Sequence, residues 1–277
     1  MTAAVSNSPR PRWKVIFFTV VLHLLALLAI FPSNFSWGAI GVALLLYWMT
    51  IGLGISLGFH RMATHRSLQV PKWLEYFFIL CGTLAGQGGV LGWVGYHRMH
   101  HMYTDQTQDP HSASEGFWWS HISWLMHEVP MQSSLPRFTQ DIANDPFYKF
   151  CHRNYIGLQV ALGVLLFLLG GMPFVVWGIF VRLFIGFHST CFVNSACHMF
   201  GYRTHDTDDL STNNWWVALL TFGEGWHNNH HACQHSARYG WKWWEVDMVW
   251  GTIWLLQKLG LATKVKVSNT RQADLVS

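Results

Sequence analysis

Charge is scarce in this chain. Only 12% of its 277 residues are Asp, Glu, Lys or Arg, about half the share in an ordinary soluble domain. The two signs nearly cancel, 18 basic against 14 acidic residues for a net +4, and the basic ones are scattered. Without a basic patch there is no footprint for nucleic acid. Cysteine is sparse too: Cys81, Cys151, Cys191, Cys197 and Cys233 are odd in number and form no CxxC pair. That pattern excludes a disulfide framework and points to reduced thiols on a cytosolic face or in lipid. Also missing are a Ser-His-Asp arrangement, a phosphate-binding loop and a GxGxxG leading into a helix. The glycines between Gly82 and Gly95 are therefore expected to permit close backbone approach rather than to cradle a nucleotide.

What the chain has in plenty is apolar and aromatic surface. Hydrophobic residues make up 51% of it and 17 residues are Trp, the composition of a membrane protein. Val15 to Phe31 follows Arg10, Arg12 and Lys14 as a signal sequence does, but Pro32-Ser33-Asn34-Phe35-Ser36-Trp37 offers no small-x-small cleavage site, so the run reads as a first transmembrane helix. Its polar intruder, His23, is expected to hydrogen-bond between helices. Gly38 to Phe59 is a second run, about 33 Å long as a helix against a hydrocarbon core of about 30 Å. Tyr155 to Leu169 turns at Gly170-Gly171-Met172-Pro173 and returns as Phe174 to His198, about 38 Å if helical throughout, so its last turns project beyond the lipid. Trp73 to Leu84 and Phe117 to Met126 are too short to span and are expected along the interface or over a site. The Trp-rich stretch Trp241 to Leu256, with Lys242, Glu245 and Asp247 interleaved, predicts an interfacial helix.

Basic residues set the orientation. The turns 32–37 and 170–173 carry no Lys or Arg, whereas the polar stretches opposite them do, so both termini and the segment after the second run are expected in the cytoplasm. Arg182, inside the fourth run, is the exception, and a buried partner, snorkelling or a lipid phosphate each accommodate it.

Histidine is the chemistry-bearing residue. Gly223-Glu224-Gly225-Trp226-His227-Asn228-Asn229-His230-His231 holds three imidazoles in five residues, and on a helix the spacing i, i+3, i+4 places His227 over His230 and His231 on one face. Alone, such a triplet is most often solvated. It is not alone. His97, His100 and His101 repeat the spacing, His60 and His65 add a looser pair, and His198 closes the fourth run. The i+5 offset of His60 and His65 fits no α-helical face, so the helix is expected to end or turn near His60. Nine imidazoles exceed the four ligands of a zinc site or the six of an octahedral ion, which argues for two metal ions; imidazole suits Fe, Cu, Ni or Zn alike. Cys233, beside the last cluster, is not expected to ligate. His111, His121, His127, His152, His188, His205 and His235 fit no cluster and are read as surface or interface residues.

Taken together, HxxxxH (His60, His65), HxxHH (His97, His100, His101), NxxxH (Asn194, His198) and HNxHH (His227, Asn228, His230, His231) resemble the integral-membrane fatty acyl desaturases from about Trp37 to Leu261. The Gly223-Glu224-Gly225 lead-in and Asp109-Pro110-His111 are similar to the Δ9, stearoyl-type branch, including its cyanobacterial acyl-lipid members. The resemblance implies an all-α integral membrane protein in which four transmembrane helices carry a cytosolic helical cap holding two irons. One domain results: an N-terminal segment 1–14, spans in 15–59, cap 60–154, spans in 155–198, and cap with tail 199–277. It implies O2-dependent formation of a cis double bond, with the nine histidines as ligands and Asn194 reaching one metal through a water. Asp105, Asp109 and Glu224 are expected to orient ligating imidazoles. Gln87, Trp93 and Thr190 match residues at the bend of the family's acyl tunnel. Steps of four from His60 through Ser56 lead to Gly52 and Trp48, expected as its deeper wall and floor, with close helix packing an equal reading for Gly52.

An unactivated C–H bond has no acidic proton and no electrophilic carbon, so a metal oxidant suits this ligand set and side-chain catalysis does not. Rival readings are a His-box hydroxylase, ketolase or alkane oxidase, which the order of the boxes disfavours, and a metal or haem transporter, whose site lies near mid-membrane rather than at helix ends. The chain carries no haem, flavin or CxxC motif of its own, so a separate electron carrier, ferredoxin or cytochrome b5 by analogy, is implied. Acyl-CoA members tend to carry charge just before the second box. Gly95-Tyr96 stands there instead, which favours an acyl chain in a membrane lipid over acyl-CoA.

Overall fold

The structure, a computed structural model, describes residues 9–268. Its regular elements are helices, and among the described residues strand-like pairing is limited to isolated bridges such as Tyr202 with Asn213. In order they are α1 (Trp13–Ala26), α2 (Trp37–Tyr47) running straight into a π-helix (Trp48–Thr64), α3 (Lys72–Thr83), α4 (Val90–Tyr103), a short α5 (Trp124–Met126), α6 (Pro146–Val175), a π-helical segment (Val176–Val181), α7 (Arg182–Ser195), α8 (Trp215–Leu220), α9 (His227–Ala232) and α10 (Met248–Lys258).

Among the described residues, three stretches are long and apolar enough to cross a membrane: Trp13–Ile30, Trp37–Thr64 and Pro146–His198. The third, 53 residues long, has more than twice the length a bilayer needs. It breaks where expected, at Gly170 and Gly171, the latter at φ +67, which glycine adopts without a Cβ penalty. Its start differs from the expected Tyr155: Pro146 at N1 and the Asp145 carboxylate, accepting from the Phe147 and Tyr148 N–H groups, begin the helix earlier, and a non-helical Asn154 sets these first turns apart. The expected helix from Trp241 begins only at Met248. Glu245 accepts the Trp241 and Lys242 N–H groups and turns the chain, and Asp247 then caps α10 through the Trp250 N–H at 2.9 Å.

The helix bearing His60 does not end there. It continues to Thr64 with i→i+5 bonding, the His65 N–H reaching the His60 carbonyl at 3.1 Å. Such winding stacks residue i+5 above residue i, and the two imidazoles lie 4.8 Å apart. The spacing that no α-helix places on one face is brought together by the looser helix. Along it lies α3, at backbone contact: a Cβ on Gly54 would strike the Cys81–Gly82 backbone, and one on Gly58 would stand 2.9 Å from the Phe78 carbonyl oxygen. The expected interfacial piece is thus a packed helix with Leu74, Phe78 and Ile79 buried. By contrast α1 buries no residue and presents Phe17, Phe18 and Leu24 outward.

Gly58→Val is expected to cost about 1–3 kcal/mol by forcing α3 away. Thermal unfolding in detergent should show a lowered Tm, while Gly41→Val, with open space around its Cβ, should leave Tm unchanged.

Candidate metal centre

The nine histidines converge, and they divide. His60, His65, His97, His101 and His230 place ligand atoms within 4.8 Å of one another, and so do His100, His198, His227 and His231. The division runs through each HxxHH-type box, contrary to the expectation that one triplet points into one volume. Successive helical residues diverge by about 100°, so adjacent His100 and His101 on α4 serve different groups. On α9 the roles exchange: His227 and His231 join the second group and His230 the first. Cys233 belongs to neither group.

Carboxylates stand behind the rings. His100 Nδ1 lies 2.8 Å from Asp109, His198 Nδ1 3.0 Å from Asp105, and His60 Nδ1 bonds Glu224. All three carboxylates expected to orient imidazoles are in contact with a histidine of one of the two groups. A fourth was not anticipated: Asp209 accepts from His231 Nδ1 at 2.7 Å. Its signal was present, since Asp206, Asp208 and Asp209 are the acidic residues between His198 and Glu224. Glu224 is itself held by Ser56 and by Arg61, a fully buried side chain that forks onto Asp247 at 3.0 Å through both terminal nitrogens and lies over the Tyr239 ring. His111 is not a surface residue. It is buried against His100, ring centroids 4.3 Å apart, with Nδ1 3.8 Å from Asp109.

This donor set fits a metal. A carboxylate only accepts, so His60, His100, His198 and His231 carry a proton on Nδ1, which leaves Nε2 as the nitrogen that can ligate. Those Nε2 atoms crowd: His227 stands 3.1 Å from His198 and 3.0 Å from His231, and His230 stands 3.1 Å from His60 and 2.9 Å from His101. The Nε2 atoms of His65 and His100 are buried without any partner. One proton relieves one such contact, not all of them; a cation at each centre relieves all. Burial, then neighbouring imidazoles, push His65, His97, His101, His227 and His230 well below 6.5, leaving the neutral rings that ligation requires. Asp109 draws His100 upward against its burial. Despite burial, pairing with histidine holds Asp105, Asp109 and Asp209 below the usual carboxylate range.

An apolar cavity ends on both groups. Ile51, Ile55, Trp93, Thr190, Val193 and Asn194 line it, with His60, His97, His227 and Glu224 at its head. Gln87 braces the wall, donating to Thr190 Oγ1 at 2.7 Å and accepting from Trp93 Nε1 at 3.1 Å. Gly52 and Trp48 do not line it. The helix turns Ile51 and Ile55 to the cavity, a Cβ on Gly52 would meet the Trp48 ring, and that ring packs on Phe222. His23, as expected, bonds across helices, its Nε2 2.9 Å from His188 Nε2.

The fatty acid desaturase profile matches residues 35–258. This chain belongs to the fatty acid desaturase family. The desaturase is 61% identical over 271 residues to the sn-1 stearoyl-lipid 9-desaturase of Synechocystis sp., covering 96% of this chain and 85% of the relative. It is 60% identical to the protein of the same name from Anabaena variabilis, covering 98% of this chain and all of that one. Against the sn-2 palmitoyl-lipid 9-desaturase of Nostoc sp. the identity is 50%, over 94% and 92% of the two chains. The desaturase is thus an oxidoreductase of lipid metabolism, and its histidine groups and apolar helices accord with metal binding and membrane association.

Asp209→Asn should weaken metal retention about 10- to 100-fold, the usual effect of losing a carboxylate behind a ligating imidazole. Competition with a chelator, followed by metal analysis of the purified protein, measures it; unchanged retention refutes the role.

Proposed function

We propose that this desaturase introduces a cis double bond at Δ9 of a saturated C16–C18 acyl chain esterified in a membrane glycerolipid, consuming O2 and electrons from a separate carrier, ferredoxin or cytochrome b5. The observation that carries the reading is the apolar cavity whose head meets both histidine groups at once. Relatives named for stearoyl-lipid and palmitoyl-lipid 9-desaturation, at 50–61% identity, support the substrate class.

When bound, two irons supply the oxidant that an unactivated C–H bond requires. His60, His65, His97, His101 and His230 would hold one, and His100, His198, His227 and His231 the other, and Asn194 would reach one of them through a water. Ile51, Ile55 and Val193 bind the chain by removing it from water. Trp93 and Thr190, tied by Gln87, shape the bend. Asp105, Asp109, Asp209 and Glu224 keep the Nδ1 protons of their partner rings and so aim each Nε2 inward.

The membrane arrangement belongs to the same reading. The break at Gly170–Gly171 makes two spans of the third apolar stretch, four in all, and segments 60–154 and 199–268 form one cytoplasmic cap; both termini are expected on that side, their end residues, 1–8 and 269–277, lying outside the described ones. The turns 32–37 and 170–173, free of Lys and Arg, support it. Cysteines introduced at Asn34 and Ser114 should label from the outer and cytoplasmic sides respectively; the reversed pattern defeats the topology.

Expression in a host without this activity should yield Δ9-unsaturated chains in glycerolipid, and purified protein should hold close to two irons per chain. His230→Ala should abolish turnover. Faster desaturation of stearoyl-CoA than of glycerolipid, or full activity without His230, overturns the assignment.

A further inference from the structure

Arg182 is a cation within a stretch long enough to cross a membrane, and it is 2% exposed. A charge at such depth is costly and marks function more often than packing. Its acceptors are all neutral: Nε donates to the Gly178 carbonyl at 2.6 Å, Nη1 to the Leu84 carbonyl at 2.7 Å and Thr50 Oγ1 at 3.2 Å, and Nη2 to Gln159 Oε1 at 3.3 Å. Gln159 closes the ring by donating its own amide to Leu84 O at 2.6 Å. Leu84 is the C-cap of α3, where unpaired carbonyls form the negative end of the helix dipole. The α3 terminus therefore serves as the counter-charge, and Arg182 fixes where that helix stops.

The turn beyond Leu84 links this anchor to the acyl cavity. The chain passes through Gly86, at φ +72 and resting on the Leu183 side chain, and three residues after Leu84 presents Gln87. Gln87 bonds Thr190 and Trp93, two walls of the cavity that ends on the histidine groups. A polar linkage thus runs from the buried guanidinium, through the α3 terminus and one tight turn, to the wall against which the acyl chain bends. Movement of the Leu84 carbonyl would move Gln87 with it, and with Gln87 the carbon presented to the metals.

We infer that Arg182 is a positioning residue for the site of desaturation: by pinning the turn that carries Gln87, it sets which carbon–carbon bond of the acyl chain is oxidised. The inference rests on the acyl-lipid Δ9 reading above. Its test is the double-bond position in products from Arg182→Lys, which keeps the charge but loses the planar fork, and from Gln159→Met, which removes the second tie to Leu84 and keeps the buried cation. Wild type, expressed in the same host, reports separately on the functional reading, since absence of Δ9 product there defeats that reading. Both variants are expected to raise the share of products unsaturated away from Δ9 several-fold. In a Gln87→Met background Arg182→Lys should add no further positional change, because the two act in series. Lower yield with the wild-type double-bond position in both single variants would show that Arg182 is a packing staple only and overturn the inference.

Discussion

Unprotonated imidazole nitrogens facing one another across about 3 Å repel, and the buried polar groups around the histidines of this desaturase answer that repulsion. Asp105, Asp109, Asp209 and Glu224 each fix a proton on the Nδ1 of one ring, which turns its Nε2 inward, three of the four onto His227 or His230. The four carboxylates would balance the charge of the two divalent cations proposed here, while Arg61 is offset by its fork onto Asp247. Ligands, tautomers and charge thereby agree on one arrangement. Such agreement is what lets so many polar groups be buried together.

The helices accomplish this with little chain. Two short helical faces, on α4 and α9, each split their histidines between the groups, so each helix grips both centres and neither centre can shift without the other. The π-helix adds the fifth ring to the first group by bringing His65, at its C-cap, edge-on to His60. Its glycines allow α3 to lie at backbone contact, and α3 in turn ends at the Arg182 anchor below the bend. Metal centre and acyl cavity are thus shaped by one continuous set of contacts.

The cavity shows why a side chain's depth is easier to read than its direction. Steps of four from His60 led to Gly52 and Trp48, on the assumption of α-helical winding. The π-helix has a different period, and it turned Ile51 and Ile55 to the cavity instead. Small residues on this helix serve helix packing, as Gly54 and Gly58 do against α3.

Composition and spacing by themselves indicated a membrane protein and more histidines than one ion can use, and the expectation that Asp105, Asp109 and Glu224 orient clustered histidines came with the family resemblance. They did so because apolar length, ligand type and local periodicity are properties of short stretches. The family followed from the order of the boxes. Which histidine joins which group, the support of His231 by Asp209, the burial of His111 and the neutral coordination of Arg182 were decided only by tertiary structure. Each depends on a partner far along the chain, 98 residues away for Arg182 and Leu84, and on how tightly a helix is wound. Neither a long-range partner nor a change from i→i+4 to i→i+5 bonding leaves a mark in any single window of residues.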